Sequence, residues 1–331
     1  MIKAKFYKKL GNGKIKCELC PQSCVIPEGK TGICFGRKNI DGELYAINYG
    51  KTISISMDPI EKKPLYHWYP GKDILSIGPN GCNLRCKFCQ NYHISQKISP
   101  TKEITPQELL EYCLQTNSIG VAYTYTEPLI WYEFIQDSGT LLHQYNKKVV
   151  LVTNGYINEP PLREILPIVD AMNIDLKAFN DEFYRKYCAG DIETVKNTIR
   201  ISASHTHIEV TNLIIPGLND SEAEIERLTE FIAEIDDEIP LHLSRYFPVY
   251  KFDHPPTPAS TLERAYQIAK KRLKYVYVGN INLPRMSDTY CPNCNTHLIR
   301  RAGFYTEILN VNEENRCTSC NYCIKGVHLF E

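Results

Sequence analysis

The chain has 331 residues, with 38 Lys and Arg against 38 Asp and Glu, so its formal net charge is zero. A balanced charge gives no overall field for nucleic acid or for a membrane surface. No apolar run approaches membrane-spanning length and no signal-peptide layout opens the chain, so we expect a cytoplasmic protein with no membrane partner.

Fourteen cysteines stand out in this composition. The cytoplasm keeps thiols reduced, so disulfides do not explain them. Twelve of the cysteines fall into three tight groups, which is typical of metal sites. Cys113 and Cys188 stand apart from these groups, and Cys113 lies in a helical pattern as a small core residue.

Residues 1–72 are predicted to form an N-terminal Cys-rich metal-binding segment and a hairpin, the latter indicated by Asp41-Gly42. Pro and Gly are interspersed, so a bound metal would supply the folding energy that this loop-like segment lacks. Four thiolates suit tetrahedral zinc or a second four-thiolate cluster. The knuckle spacing of the first pair favours zinc, and nothing nearby in the sequence indicates an electron route. The cysteines are Cys17, Cys20, Cys24 and Cys34.

An aromatic and basic stretch, Ile60–Gly71, follows the hairpin. One interpretation is a surface loop that uses its aromatic side chains for packing. The other is a wall of a substrate site, with Lys63 and His67 as its polar groups.

Residues 73–285 alternate strand and helix patterns. Near-continuous apolar strands separated by helices predict a parallel sheet buried on both faces, and six or more units predict an α/β fold with a full or partial (β/α) barrel. Chemistry in such a barrel belongs at the carboxyl ends of the strands. Capping boxes at Thr105 and Ser221 each predict a helix start. The predicted strands lie at 74–77, 121–126, 148–153, 171–176, 208–215, 241–244 and 275–278, and the predicted helices at 106–116, 129–145, 160–166, 181–187, 192–202, 222–235 and 261–273.

A loop after the first strand carries Cys82, Cys86 and Cys89 in a C-x3-C-x2-C run. Three such thiolates can bind three irons of a [4Fe–4S] cluster and leave the fourth iron open, whereas a cluster used only for electron transfer takes four cysteines. An open iron can chelate a small molecule through an amino group and a carboxylate. A zinc site would need a fourth ligand and paired knuckles, which this run lacks.

Polar residues stand where later strands end. Glu127 follows the second strand and could also be a helix-capping carboxylate. Asn154 follows the third strand, where Asn-Gly could also be only a turn. Asp175 and Lys177 project to the same side of the fourth strand and suit a zwitterionic ligand, or form a structural ion pair. His242 lies in the sixth strand, where a lone histidine is often a satisfied core residue.

Residues 286–331 are predicted to form a zinc-ribbon-like C-terminal module. Two C-x2-C pairs separated by a β-like stretch are the signature of such a zinc site. Asn295 and Asn321 follow the pairs, at positions where the knuckle turn needs a left-handed residue. Cys323 is a spare thiol. The four predicted ligands are Cys291, Cys294, Cys317 and Cys320.

The Cys82 run, with the aromatic Phe88 before its third cysteine, resembles that of radical S-adenosylmethionine (SAM) enzymes. The whole chain resembles the radical SAM member of the AmmeMemoRadiSam group, relatives of pyruvate formate-lyase activating enzyme. This resemblance extends over the leading cysteines, the Lys63–His67 block, the 275–280 segment and the C-terminal pairs. It implies a [4Fe–4S] cluster and SAM as cofactors, beside the zinc inferred from the cysteine spacing.

The resemblance also implies roles for the residues at the strand ends. Glu127 matches the Glu of a Gly-Gly-Glu-Pro motif that holds the SAM amino group, although Tyr125 and Thr126 replace its two glycines here. Lys177 matches a Lys that binds the SAM carboxylate, and Asp175 would orient it or bind a cation.

Three further residues match the SAM-binding segments of the activating enzymes. Asn154 would hydrogen-bond SAM or substrate, Asn212 would pack against the adenine or ribose, and His242 would lie at the SAM carboxylate. Arg245, close to His242 in the chain, could also face this pocket.

The implied activity is that of an oxidoreductase of the activating-enzyme type. A one-electron donor resembling flavodoxin or ferredoxin reduces the cluster, SAM is cleaved, and a 5′-deoxyadenosyl radical abstracts hydrogen from a substrate. A protein substrate is the first hypothesis. A small molecule or an RNA nucleotide is the alternative, and a non-catalytic iron–sulfur electron carrier is a third class.

Overall fold

An eight-stranded sheet forms the centre of the computed structural model, which describes residues 1–326. In chain order the strands of this part lie at Ile2–Lys3 (β1), Tyr7–Lys9 (β2), Ile15–Cys17 (β3), Val25–Ile26 (β4), Arg37–Ile40 (β5), Glu43–Ala46 (β6), Lys51–Thr52 (β7), Ser54–Pro59 (β8), Asp73–Gly78 (β9), Lys102–Glu103 (β10), Gly120–Tyr123 (β11), Lys148–Thr153 (β12), Ala171–Asp175 (β13), His207–Ile214 (β14), Leu241–Arg245 (β15), Val276–Gly279 (β16), Thr289–Tyr290 (β17), His297–Ala302 (β18) and Tyr305–Ile308 (β19). The α-helices lie at Tyr92–Ser95 (α1), Pro106–Gln115 (α2), Tyr132–Gln144 (α3), Glu159–Ile165 (α4), Asp181–Phe183 (α5), Ile192–Ala203 (α6), Glu222–Ile235 (α7) and Ala259–Ala269 (α8).

The large sheet has the strand order β16-β15-β14-β13-β12-β11-β9-β8. From β9 to β16 every neighbouring pair is parallel, and only β8 runs antiparallel to its neighbour β9. The sheet is open, because no ladder joins β16 to β8 in the described chain. Of the two predicted alternatives, the structure therefore has the partial barrel.

Strand burial follows the predicted pattern. All four residues of β11 are buried, as are five of the six residues of β9. This double-sided burial explains why the strands appear in the sequence as apolar runs rather than as alternating patterns. Strand β8 lies within the predicted N-terminal segment, yet it completes the large sheet; the predicted boundaries at residues 72 and 285 stay predictions.

The two predicted capping boxes behave differently. At α2, the Thr105 side chain and the Glu108 side chain cap each other's backbone N–H, as predicted. At α7, Ser221 accepts from the Glu224 N–H, but the Glu224 carboxylate accepts from the Phe179 N–H at 2.8 Å. The second box is therefore only half formed, because Glu224 ties the loop after β13 to this helix instead.

Two small sheets, β1-β6-β5 and β2-β3-β4, build the N-terminal part. The hairpin at Asp41-Gly42 is confirmed, with φ of 53° and 70° at these two residues. The buried Arg37 guanidinium lies 2.7 Å from Glu133 on α3 and also donates to the Lys5 carbonyl at 2.7 Å. This buried pair anchors the N-terminal part to the barrel, since separating it would leave uncompensated charge.

The C-terminal module contains the antiparallel sheet β17-β18-β19. Asn295 and Asn321 have φ of 59° and 62°, which confirms the predicted left-handed turns after the cysteine pairs. Residues 327–331 of the predicted module lie outside the described residues. Within residues 1–326, none of the helices combines the length and apolar character needed to cross a bilayer.

Candidate active site

A cavity of about 240 Å³ opens at the carboxyl ends of the parallel strands, and we call it the cofactor cavity. It brings the three loop cysteines together with polar groups from the ends of β12 and β13. The residues that matter below are Cys82, Cys86, Cys89, Asn154, Asp175 and Lys177. These six were all predicted site residues, and the structure places them around one space.

The loop bearing the three cysteines is held by its backbone. Arg85 N–H donates to the Cys188 carbonyl at 2.7 Å, and Lys87 N–H donates to the Tyr187 carbonyl at 2.9 Å. On its other side Gly81, with φ of 96°, has no room for a side chain, since a Cβ there would lie 2.0 Å from the Cys34 carbonyl oxygen. The loop is therefore fixed before any cofactor binds, which limits the reorganisation that binding requires.

Burial raises the pKa of the Cys82 thiol well above its ordinary value. For Cys86, a hydrogen bond with Cys188 is the leading cause of a similarly large rise, followed by burial. Burial also raises the pKa of Cys89. Three thiolates at this position therefore need a cationic centre beside them, as iron would provide.

Asn154 connects the end of β12 to the cysteine loop. Its amide nitrogen donates to Asn83 Oδ1 at 3.0 Å and approaches Cys82 Sγ at 3.5 Å. Its amide oxygen accepts from the Tyr156 N–H at 2.8 Å. Both ends of the side chain are thus used, and its predicted contact with SAM or substrate stays a prediction.

Asp175 and Lys177 form an ion pair at the end of β13, with 2.9 Å between Oδ2 and Nζ. Burial alone would lower the pKa of Lys177, but Asp175 and the sulfurs of Cys86 and Cys188 outweigh it and raise this pKa well above the ordinary value. The ammonium therefore stays charged in the cofactor cavity, as a carboxylate-binding residue requires.

We expect Lys177→Met to weaken SAM binding by about 10- to 100-fold, the loss of one hydrogen bond to a charged group. Isothermal titration of cluster-loaded protein under anaerobic conditions measures this change. Lys196→Met is the matched control, because that side chain has the same exposed fraction of 16% and also pairs with a carboxylate, Glu193 at 2.7 Å. Equal SAM affinity in both variants would contradict the assignment of Lys177.

Glu127 is buried and does not line the cofactor cavity. Its carboxylate accepts from the Leu129 N–H at 3.0 Å, the Thr153 hydroxyl at 2.7 Å and the Asn154 N–H at 2.8 Å. Burial outweighs these hydrogen bonds and raises the pKa of Glu127 to about 7. The contact with the Leu129 N–H is the alternative capping role, and the predicted contact of Glu127 with the SAM amino group stays a prediction.

Asn212 does not line the cofactor cavity, and its predicted packing against the adenine or ribose of SAM stays a prediction. Thr211 and Leu213, its neighbours on β14, line the cofactor cavity, and Asn212 instead donates to the Leu176 carbonyl at 2.7 Å. Successive side chains of a strand point to opposite faces, so the choice of register decides the outcome. Arg245 does not line the cofactor cavity either, and its Nε donates to the Thr257 carbonyl at 2.9 Å.

A second cavity of about 600 Å³, the wide cavity, adjoins the first. The Glu61–Tyr66 segment lines one side, so Lys63 lies in a cavity wall, in line with the substrate-site interpretation. Its ammonium pairs with the buried Asp58 at 2.7 Å. His67 does not line the wide cavity; its Nε2 lies 2.5 Å from the Tyr277 hydroxyl, so its predicted polar role there is wrong.

His242 lines the wide cavity rather than the cofactor cavity. Its Nε2 lies 2.6 Å from Glu209, whose other oxygen lies 3.1 Å from His207 and accepts from the His67 N–H at 2.7 Å. Burial would raise the pKa of Glu209, but the two histidines outweigh it and hold this pKa well below its usual range. Sequence reasoning missed Glu209, although a lone acidic residue inside an apolar strand was a usable signal.

The four C-terminal cysteines form a compact group, with every Sγ within 4.8 Å of the others. Cys291 Sγ lies 3.5 Å from Cys320 Sγ, and Cys294 Sγ lies 3.6 Å from Cys317 Sγ. Tetrahedral zinc with bonds of about 2.3 Å would set these edges at about 3.8 Å. The sulfurs thus fit a single ion, and Cys323 lies outside the group.

The hairpin between these cysteine pairs supports a wall of the wide cavity. Arg301 donates to the Tyr66 carbonyl at 2.7 Å and lies over its ring at 4.3 Å, and Thr306 donates to Glu61 at 2.6 Å. Phe304, at the hairpin turn, lines the cavity itself. The C-terminal module is therefore part of the cavity and not a separate appendage.

A metal held by the four C-terminal cysteines is expected to fix the segment at residues 60–66, and its removal should loosen that segment. We expect a chelator or Cys294→Ser to increase amide hydrogen exchange there, because Arg301 and Thr306 lose their fixed positions. Hydrogen exchange read by mass spectrometry measures this, with strand β12 as the internal reference. Cys323→Ser is the control; unchanged exchange at 60–66 in a metal-free module would contradict the coupling.

The four N-terminal cysteines also come together. Cys17, Cys20, Cys24 and Cys34 line one small buried cavity, together with the Arg37 side chain. Burial raises the pKa of Cys17 to about 11, and it also raises those of Cys20 and Cys34. This is a third thiol-lined site, and it lies against the loop that carries Cys82.

Residues 76–232 match the Radical SAM superfamily. The chain is 45% identical over 328 residues to the uncharacterized protein MJ0808 of Methanocaldococcus jannaschii, a match that covers 97% of this chain and 98% of that protein. It is 23% identical over 175 residues to pyruvate formate-lyase 1-activating enzyme of Escherichia coli K12, covering 50% and 71% of the two chains. It is 26% identical over 239 residues to a probable GTP 3′,8-cyclase of Methanococcus aeolicus, covering 66% and 79%.

With this match and the open parallel sheet, residues 76–232 of the chain form a domain of the radical SAM superfamily. Membership implies a [4Fe–4S] cluster, SAM and a reductant. The residues present fit that requirement, since three thiols, of which Cys86 is buried, and a charged Lys177 line one cavity at the carboxyl ends of the strands.

Proposed function

We propose that Cys82, Cys86 and Cys89 hold a [4Fe–4S] cluster with SAM beside it in the cofactor cavity, and that a substrate binds in the wide cavity. When bound, the cluster and SAM supply a 5′-deoxyadenosyl radical that abstracts hydrogen from the substrate. The observation that carries this proposal is the junction of the two cavities, which share Tyr125, Thr126, Asp175 and Asn280 in their walls.

The residues of the chain bind and orient the reactants at this junction. Lys177, fixed by Asp175, binds the SAM carboxylate, and Asn154 donates toward Cys82 Sγ. The walls around the junction hold the substrate against the cofactor and keep water out, because a radical reacts with any C–H bond in reach. His242, held by Glu209, supplies a polar group on the substrate side.

The first candidate substrate is a protein that presents a loop to the wide cavity. Phe304 and Tyr305, at the turn between β18 and β19, are exposed large aromatic side chains, and Phe304 also lines the cavity. Exposed apolar side chains beside a cavity suit a docking surface. The similarity to a pyruvate formate-lyase activating enzyme supports the same candidate.

The second candidate is a small molecule or a nucleotide. The wide cavity, at about 600 Å³, lies within the range of about 300–1,000 Å³ typical of small-ligand sites. Its lining combines the aromatic Tyr66 with Lys62 and Lys63, whose ammonium groups both pair with Asp58 at 2.7 Å. The similarity to a probable GTP 3′,8-cyclase supports this second candidate.

The test of the chemistry is anaerobic reconstitution with iron and sulfide, followed by incubation with SAM and dithionite. We expect methionine and 5′-deoxyadenosine, detected by chromatography, and neither product when dithionite or SAM is omitted. Failure of the reconstituted protein to cleave SAM would favour an iron–sulfur electron carrier and contradict the proposal.

The two substrate candidates differ in a second measurement. A protein substrate predicts a stable glycyl radical on a partner, seen by electron paramagnetic resonance, and its loss in Phe304→Ser with Tyr305→Ser while SAM cleavage without substrate persists. A nucleotide substrate predicts a modified nucleotide that is missing when the gene is deleted. Each result excludes the other candidate as the main substrate.

A further inference from the structure

The N-terminal cysteine site differs in size from the C-terminal one. In the C-terminal group all four sulfurs lie within 4.8 Å of each other, as one ion requires. Within residues 1–326, no three sulfurs of the N-terminal group meet that limit, although all four cysteines line one cavity. Sulfurs that bind separate irons of a cluster stand further apart than sulfurs that share one ion.

The sulfurs of the loop with Cys82 are also more widely spaced than those of the C-terminal group. The three cysteines of this loop line one cavity, yet in the described chain they also fall outside the 4.8 Å limit that the C-terminal group satisfies. The chain therefore has one site of zinc dimensions and two wider ones. The wider spacing at Cys17, Cys20, Cys24 and Cys34 argues against the zinc that the knuckle spacing favours.

A short series of side chains joins the two wider sites. The Cys20 sulfur is hydrogen-bonded to the Asn83 side chain, one residue beyond Cys82. Asn154 Nδ2 lies 3.0 Å from Asn83 Oδ1 and 3.5 Å from Cys82 Sγ. Only two amide side chains therefore separate a sulfur of one site from a sulfur of the other.

The backbones of the two sites are also in contact. Gln22, between Cys20 and Cys24, donates to the Asn83 carbonyl at 2.9 Å. The Cys34 carbonyl leaves no space for a Cβ at Gly81. Arg85 donates to the Ile33 carbonyl. Contacts on three sides hold the sites at a fixed separation, which a route for electrons requires and a purely structural ion does not.

The surroundings suit an anionic centre. The Arg37 guanidinium, 1% exposed, lines the cavity of the four cysteines and is paired with Glu133 at 2.7 Å. A four-thiolate centre carries net negative charge, so a buried cation beside it offsets part of the cost of burial.

We propose that Cys17, Cys20, Cys24 and Cys34 bind a second [4Fe–4S] cluster, which relays electrons to the iron held by Cys82, Cys86 and Cys89. The relay rests on the function proposed above, whereas the cluster itself does not. One electron from an external low-potential reductant enters at the N-terminal site and crosses Asn83 and Asn154 to the second site. There it reduces the sulfonium of SAM, whose C5′–S bond breaks to give methionine and the 5′-deoxyadenosyl radical.

Iron, sulfide and zinc analysis of the full chain tests the cluster. After anaerobic reconstitution we expect about eight iron and eight sulfide per chain, and about four of each when Cys82, Cys86 and Cys89 are all changed to alanine. About one zinc should remain in both proteins. Cys113→Ala, which removes a buried thiol outside all three groups, should keep about eight iron.

If either proposal is wrong, the iron and zinc contents of the two proteins will show which one. Wild-type protein with about four iron, a triple variant with none, and about two zinc in each would overturn the second cluster and leave the proposed function intact. About four iron in both proteins would place the only cluster at the N-terminal site and overturn the proposed function.

Electron paramagnetic resonance of the reduced protein tests the relay. Two neighbouring reduced clusters should broaden each other's signals, and the Cys82/Cys86/Cys89 triple variant should give a narrow signal from the N-terminal cluster alone. Cys20→Ser with Cys24→Ser should give the converse narrow signal. Independent, unbroadened signals from both clusters in the wild-type protein would overturn the relay.

Discussion

Changing Cys86 to alanine should abolish the formation of 5′-deoxyadenosine from SAM and dithionite. Cys86 is the central cysteine of the C-x3-C-x2-C loop, is buried, and lies within hydrogen-bonding reach of Cys188. Without its thiolate the cluster lacks one of three protein ligands, and a site with only two does not retain it. Chromatography of anaerobic reaction mixtures measures the product, and iron content should fall by about four per chain.

Cys113→Ala is the matched control for Cys86→Ala. Both residues are buried cysteines, but Cys113 lies on α2 and its thiol donates only to the Ser118 carbonyl. We expect the control to retain SAM cleavage, so that a loss in Cys86→Ala reports the cluster and not a general effect of losing a thiol. Retained cleavage in Cys86→Ala would overturn the assignment of the loop.

Changing Glu209 to leucine should lower the free energy of unfolding by about 3–5 kcal/mol. The carboxylate is fully buried and is the shared partner of His207, His242 and the His67 N–H. Leucine has a similar size but accepts no hydrogen bond, so three buried donors would lose their acceptor. Urea denaturation followed by circular dichroism measures the loss. Glu209→Gln keeps a hydrogen-bond acceptor and should lower the free energy of unfolding by less. An equal loss of unfolding free energy in both variants would show that the negative charge, and not the hydrogen bonds, stabilises this group.

The same residue predicts a response to acid. The pKa of Glu209 is lower in the folded state than in the unfolded chain, where the pKa of a glutamate side chain is about 4.3. Its stabilisation is therefore present above that pH and is lost as the pH falls through and below it. The difference in unfolding free energy between the wild type and Glu209→Leu should shrink between about pH 5 and pH 3. A difference independent of pH would contradict this assignment.

The barrel could be predicted because its strands carry a strong local signal. Strands buried on both faces need apolar residues at nearly every position, as in β11 and β12, and the turns between elements carry capping residues such as Thr105. The cysteine loop was equally clear, because iron sets the spacing of its ligands within eight residues. These features depend on neighbours in the chain and not on contacts between distant segments.

The surroundings of other side chains could not be predicted, because they depend on strand register or on distant partners. Asn212 and Thr211 are adjacent in the chain, and only the position of β14 in the sheet decides which one faces the cavity. Glu127 follows its strand as predicted, but the Thr153 hydroxyl and the Asn154 N–H, supplied by β12 and the residue after it, occupy its carboxylate. No local pattern in the sequence encodes these choices.

The wide cavity has a consequence for any shortened form of the protein. Its walls come from Lys63 and Tyr66, from the strand ends of the barrel, and from Phe304, and Arg301 spans 235 positions to reach Tyr66. A fragment limited to residues 76–232 would retain the cysteine loop but lose Lys63, Tyr66 and Phe304, together with the ends of β15 and β16. We therefore expect such a fragment to lack the substrate site and the N-terminal cysteines, so that substrate selectivity and the proposed entry of electrons both need the full chain.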